Sequence, residues 1–244
     1  AFKAFAHFLE YRVPSAIEQL RQILAIPSKK TDEALVDYLN RQELQSLLDA
    51  PDPTIRSGIR DRAMLYLCFS AGLRVSELIG LRLDEVQTHP DASVHIRGKG
   101  RRERVLPLWK EIATVLRAWL AVRGEHPACE LFLSAKGTPL TRSGFEYILA
   151  KHLAKVATAC PSISCKRVSP HVLRHTCAMH TLQATHDVRK VSLWLGHASV
   201  KSTEIYLRAD PTEKLEALAA GVPPKLRPGR FQVPDRLLAM LRSP

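Results

Sequence analysis

Tyr206 stands a short way behind His197 in the run Leu195-Gly196-His197-Ala198-Ser199-Val200-Lys201-Ser202-Thr203-Glu204-Ile205-Tyr206, and upstream lies Pro170-His171-Val172-Leu173-Arg174-His175. A phenol, imidazoles and a guanidinium can together attack a phosphodiester and stabilise the charge that builds on it. A tyrosine hydroxyl ionises near pH ~10, so as a nucleophile it needs help from a base. A guanidinium is planar and permanently charged, which suits it to phosphate oxygens without a metal. In a helix begun at Ser169-Pro170, His171 and Arg174 share one face near the positive N-terminal end, where an anion is favoured.

Two further signals are weak taken singly. Arg74 follows a glycine break in Ala71-Gly72-Leu73-Arg74-Val75-Ser76-Glu77-Leu78, and Glu77 one helical turn on is placed to orient or neutralise it. Lys99 occupies a Gly98-Lys99-Gly100 turn, where backbone can approach another surface while the ammonium projects. His171, His175, His180 and His186 invite a metal reading. The pair at i,i+4 lacks the usual glutamate and has Arg174 between its members, so no metal site is expected.

Composition narrows the partner. Lys and Arg number 36 against 24 Asp and Glu, a formal net charge of +12. Such a surplus attracts polyanions, because each phosphate neutralised releases condensed counterions. The five cysteines are odd in number and lack Cys-x-x-Cys spacing, as in reduced thiols of a cytoplasmic protein. No apolar run approaches the ~20 residues of a membrane span and no signal peptide is visible. The chain starts at Ala1, not Met, and is expected to have a cut N-terminus.

The elements that must position these groups are mostly helical. Residues 1–10 and 13–26 read as one and a half helices interrupted by Pro14 and Pro27, with a polar linker after them. Asn40 and Glu43 form a capping box for a helix over 41–48, and 59–71 is a long apolar helix stopped at Gly72. A short helix covers 74–79. Alternation at 93–97 and 103–106 predicts a hairpin around Lys99, and 131–134 reads as a further short strand. Helices are expected over 108–122, from Thr141 to about Ala159, from a Ser169 cap onward, over 188–195 with a stop at Gly196, over 199–207 and over 210–220. Trp194 reads as core packing.

Taken in order, Arg74, hairpin Lys99, His171-x-x-Arg174, Leu195-Gly196-His197 and Thr203-Glu204-Ile205-Tyr206 resemble the tyrosine recombinase (phage integrase) family. The ordered set is far more specific than any member, and the resemblance runs from about Leu35 to Ala220. It implies a mainly α fold with a small antiparallel β-sheet (α+β), the catalytic-domain fold of that family, over 31–221. Residues 1–30 then resemble the C-terminal remnant of a core-binding, SAM-like domain plus linker, and 222–244 a tail.

The same resemblance implies a site-specific recombinase or integrase that cuts and rejoins DNA through a 3′-phosphotyrosine intermediate, without cofactor, metal or ATP, in the service of a mobile element. Tyr206 would attack, Arg74 and Arg174 neutralise the phosphate, His171 act as base, Lys99 protonate the departing 5′-oxygen and His197 hydrogen-bond the phosphate. Glu77 would hold Arg74, Thr203 brace the tyrosine helix, and Arg101, Arg102 and Arg104 contact DNA phosphates. The implied partner is double-stranded DNA at specific sites, with a homotetramer at synapsis, a monomer or dimer when free, and the 210–220 helix seated on a neighbouring protomer. A type IB topoisomerase-like enzyme shares this chemistry, and a DNA-binding module that does not cleave shares the charge.

Overall fold

A computed structural model of the chain describes residues 2–27, 36–98, 103–197 and 199–210. The chain divides into two compact units, Ala1–Leu35 and Val36–Pro244. In the first, α1 (Phe2–Glu10) packs on α2 (Ile17–Ala25) across a 3-10 turn at Pro14–Ala16. Burial within this pair is slight. Ala6 and Leu20 are buried, whereas Phe2, Phe5, Phe8 and Tyr11 are exposed.

The second unit carries the core. Its α3 (Arg41–Asp49) starts at the expected capping box: Asn40 Oδ1 accepts the Glu43 N–H at 2.9 Å, and the Glu43 carboxylate accepts the Asn40 N–H at 2.9 Å. Glu43 is itself buried and also receives Lys166 Nζ at 2.6 Å and the Ser162 hydroxyl at 2.8 Å. Next, α4 (Arg56–Ser70) buries Ala63, Met64, Leu65, Leu67 and Cys68 completely. A helix apolar around so much of its surface belongs in an interior, and α4 packs against both α6 (Lys110–Arg123) and α8 (Pro170–Thr185). Its buried Asp61 is matched by His152 Nε2 at 2.9 Å, from α7 (Arg142–Ala157), and by Arg60 at 2.7 Å.

After α5 (Val75–Ile79) comes an antiparallel sheet in the order β1 (Val86–Gln87), β2 (Ser93–Arg97), β3 (Glu103–Pro107). The β2–β3 register pairs Ile96 with Arg104 and Arg97 with Glu103. Val94, Ile96 and Leu106 face the core, as the two-residue period requires. Beyond α8 lie α9 (Val188–Leu195) and α10 (Glu204–Ala209). The expected fold class, mainly helical with one small antiparallel sheet, is the observed one. Among the described residues no helix is long and apolar enough to cross a membrane.

Several local expectations are corrected. Residues 131–134 form no strand, only the isolated bridges Arg82–Glu130 and Leu133–Pro139. Side chains take carbonyls a strand partner would have taken: Trp119 Nε1 and Arg123 Nε donate to Leu131 O at 2.9 and 3.2 Å, and Arg60 donates to Leu133 O at 2.9 Å. Ser169 precedes α8 without a capping side-chain hydrogen bond, so Pro170 alone marks that start. The segment 199–207 is a 3-10 turn at Val200–Ser202 followed by α10 and not one helix. The two-residue β1 carries too little pattern to be foreseen. Lys99, Arg101, Arg102, the 211–220 part of the last expected helix and the 222–244 tail lie outside the described residues.

Candidate active site

The turn from α4 into α5 begins the site. Gly72 has φ +55°, and a Cβ there would lie 2.5 Å from Leu195 Cδ2 and 3.1 Å from Cys177 Sγ. Both the left-handed backbone and the close approach of α8 and α9 therefore require glycine. Arg74 follows as the residue capping α5, half-buried, with its N–H donated to Glu77 Oε2 at 3.0 Å and its guanidinium to Oε1 at 2.8 Å.

Glu77 has a second and stronger partner. Arg104, on β3, reaches it bidentately at 2.9 and 3.2 Å with a side chain only 10% exposed. Expected among the phosphate contacts of the hairpin, Arg104 is turned inward instead. Burial opposes ionisation of Glu77, but hydrogen bonds from Arg104 and from the Arg74 backbone and side chain outweigh it and hold the carboxyl below its usual range. Charge-assisted, two-point contacts of this kind fix geometry as well as charge.

On α8, His171 is exposed, Arg174 is buried and His175 is half-buried. The guanidinium of Arg174 donates to the carbonyls of Gly72 and, at 2.7 Å, of Leu195, and stands 4.0 Å from Glu77. Burial first, then Arg74 and Arg104, push its pKa down to about 10, so it stays a cation at neutral pH. The expected common face of His171 and Arg174 thus divides into an outer imidazole and an inner guanidinium.

The opposite wall comes from the end of α9. Gly196 closes that helix at φ +63°, and a Cβ on it would sit 3.1 Å from Arg104. This left-handed stop delivers His197, whose Nδ1 lies 2.7 Å from the hydroxyl of fully buried Thr203. That contact ties Thr203 to His197 and coincides with the break between the 3-10 turn and α10. Tyr206, 1% exposed, stacks against His197 with ring centroids 6.4 Å apart. Its hydroxyl lies 2.9 Å from Nδ1 of His175.

Electrostatics in this wall favour neutral forms. Burial pushes Tyr206 up to about 12, although Arg174 and Arg74 pull the other way. Burial, followed by Arg174, Arg74 and Arg104, pushes His197 down to about 4. Burial, then His171 and Arg174, does the same to His175, also to about 4. Cys68 and Cys177, buried close by, are raised to about 12 by burial and remain inert thiols. No group of three or more metal-ligating side chains occurs among the described residues.

Arg74, Glu77, Arg174, His197, Thr203 and Tyr206 are therefore gathered in one place, with His171 at its outer edge. Sequence reasoning missed His175 as the group at the phenol and Arg104 as the clamp on Glu77. A signal for the first existed: positions 171, 174 and 175 follow the i, i+3, i+4 pattern of one helix face. For Arg104 no sequence signal marks an arginine that turns inward.

Comparison with known proteins gives a consistent picture. The model of the phage integrase family matches residues 37–213. A putative integrase/recombinase, y4rC of Sinorhizobium fredii, is 41% identical over 243 residues, covering 100% of this chain and 73% of its own. Tyrosine recombinase XerD of Ralstonia nicotianae is 32% identical over 221 residues, 88% of this chain and 70% of its own. Among solved structures, XerH site-specific recombinase bound to palindromic difH substrate in a post-cleavage complex superposes with a TM-score of 0.66 at 26% identity. That match covers 81% of this chain and 57% of the XerH chain, so this chain spans little more than half its length.

Proposed function

Because this chain belongs to the phage integrase family of tyrosine recombinases, we propose that it is a site-specific DNA recombinase that cuts and rejoins strands through a 3′-phosphotyrosine bond on Tyr206. The observation that carries the reading is the packing of Tyr206 against His197, close to Arg174 and Arg74, which Glu77 adjoins. Phosphoryl transfer asks mainly for positioning and for neutralisation of charge on the non-bridging oxygens. Arg74, which keeps part of its guanidinium open, meets the phosphate from one side, and Arg174 supplies a fixed positive field from beneath it.

His197 donates a hydrogen bond to a phosphate oxygen, held in orientation by Thr203. His171, at the exposed edge, is placed for the incoming strand, and Lys99 protonates the departing 5′-oxygen. The new ester conserves the energy of the broken one, so a second 5′-hydroxyl reverses the attack without ATP. Guanidiniums do here what a metal would do elsewhere.

The partner is double-stranded DNA, engaged by four protomers across two duplexes and by a monomer or dimer before synapsis. An apolar groove lined by Leu44, Leu48, Phe69, Trp109 and Trp194 offers a seat for the 210–220 segment of a neighbouring protomer. A cytoplasmic location and service to a mobile element complete the proposal.

The test is incubation with a nicked suicide duplex, followed by denaturing electrophoresis. A covalent protein–DNA adduct is expected from the wild type and none from Tyr206→Phe, with EDTA making no difference. DNA binding without an adduct would support a module that does not cleave. Relaxation of a supercoiled circle without strand exchange between two labelled duplexes would support a type IB topoisomerase.

A further inference from the structure

The phenol that does the chemistry in this reading has a neighbour that the functional assignment leaves idle. Tyr206 is 1% exposed, so its hydroxyl has no bulk water to which a proton could be lost. The hydrogen bond described for that hydroxyl is to Nδ1 of His175, at 2.9 Å, inside the reach of general-base catalysis. His171, the expected base, is exposed one helical turn away. From this geometry we propose that His175 takes the phenolic proton of Tyr206 as the strand is cut and returns it as the strand is rejoined, a reading that rests on Tyr206 being the nucleophile.

The step balances without a co-reactant. The Tyr206 O–H bond breaks and its proton passes to Nδ1 of His175. The phenolic oxygen forms the bond to phosphorus, the bond from phosphorus to the 5′-oxygen breaks, and that oxygen takes its proton from Lys99. Rejoining runs the same transfers backwards.

The groups facing His175 explain why the pair stays quiet without DNA. His171 and Arg174 face it from its own helix, Tyr206 from α10 and His197 from the turn after α9. Burial and the neighbouring His171 and Arg174 keep His175 unprotonated, so Nδ1 offers a lone pair, while burial keeps the proton on the phenol. A phosphodiester entering among Arg74, Arg174 and His197 brings negative charge that offsets those cations. Its field strengthens His175 as a base just when attack on phosphorus begins to acidify the phenol. The substrate itself thereby arms the base.

The experiment uses the full chain, a nicked suicide duplex and single-turnover adduct formation, with DNA binding measured separately. His175→Ala is expected to slow adduct formation by about 100-fold, within the usual contribution of a general base, while DNA binding is unchanged. Added imidazole should restore part of the rate in His175→Ala and none in Tyr206→Phe. His175→Gln, which keeps a hydrogen-bond acceptor but cannot hold the proton, guards against misfolding of the smaller variant and should stay slow. Wild-type rates in either His175 variant overturn the proposal, as does imidazole rescue of His171→Ala in place of His175→Ala. A substrate with a 5′-bridging sulfur, which leaves without a proton, should rescue Lys99→Ala and leave His175→Ala slow; rescue of both overturns it as well. A wild type that binds DNA yet forms no adduct would instead sink the recombinase reading on which the proposal stands.

Discussion

On the Glu77 side of the site, the guanidiniums of Arg74, which caps α5, and of Arg104 on β3 close on one buried carboxylate through three hydrogen bonds, and the Arg74 backbone N–H adds a fourth. On the Tyr206 side, a six-residue helix presents a phenol whose hydroxyl has one described hydrogen bond, to His175. The first arrangement is ionic, multidentate and anchored in two elements. The second is neutral and rests on ring packing plus a single contact. The contrast separates two demands of phosphoryl transfer: charge compensation must be in place beforehand, whereas a nucleophile must be free to form and lose a bond.

Substitutions on the two sides should therefore fail differently. Tyr206→Phe should abolish the adduct altogether while costing about 0.5–1.5 kcal/mol of stability, the net worth of one hydrogen bond, read from urea denaturation. A large loss of stability would mean the tyrosine side is a structural anchor after all. Glu77→Ala should show the opposite profile, with stability lowered by about 3–5 kcal/mol because Arg104 and Arg74 lose their anion in a buried setting. Were Glu77→Ala to melt like the wild type, the ionic side would not be the rigid one.

Thr203→Val removes the hydroxyl from His197 while keeping its volume. Its expected cost is about 1–3 kcal/mol for an orphaned buried partner and a slowing of adduct formation smaller than that of any change at Tyr206. A further effect is in pH. His175 and His197 each sit at about 4 in the fold, against about 6.5 in an unfolded chain. The unfolded chain binds more protons below about 6.5, so stability should be level above that and fall as pH drops toward 4. The carboxylate of Glu77, held below its usual range, contributes stability above the unfolded carboxylate pKa that is lost at still lower pH. His175→Gln should make the decline between 6.5 and 4 shallower; an equal slope would place the titration elsewhere.

Legibility from sequence followed whether the signal was local. The α3 capping box, the Gly196 stop and the β2–β3 hairpin depend on residues a few positions apart, and all three formed as read. The 131–134 segment failed as a strand because Trp119 and Arg123, from a helix earlier in the chain, claimed the Leu131 carbonyl, and Arg60 that of Leu133. Thr203 broke the tyrosine helix in step with its contact to His197, an interaction that helical periodicity does not encode. In the site, residue identity and order carried the assignment of Arg74, Arg174, His197 and Tyr206. Orientation was the hidden variable. Arg104 and His171 exchanged their expected surroundings, the arginine going inward to a carboxylate 27 positions away and the histidine staying out.

Arg174 spends its donors on the carbonyls of Gly72 and Leu195, riveting the turn before α5 to the end of α9. Anyone wanting an inert DNA-binding version of this protein, for imaging or for trapping synapsed sites, should leave that rivet alone. In the proposed reading, loss-of-function screens will collect changes at position 174 for two unrelated reasons, missing catalysis and missing protein. Only abundance measured beside activity will tell them apart.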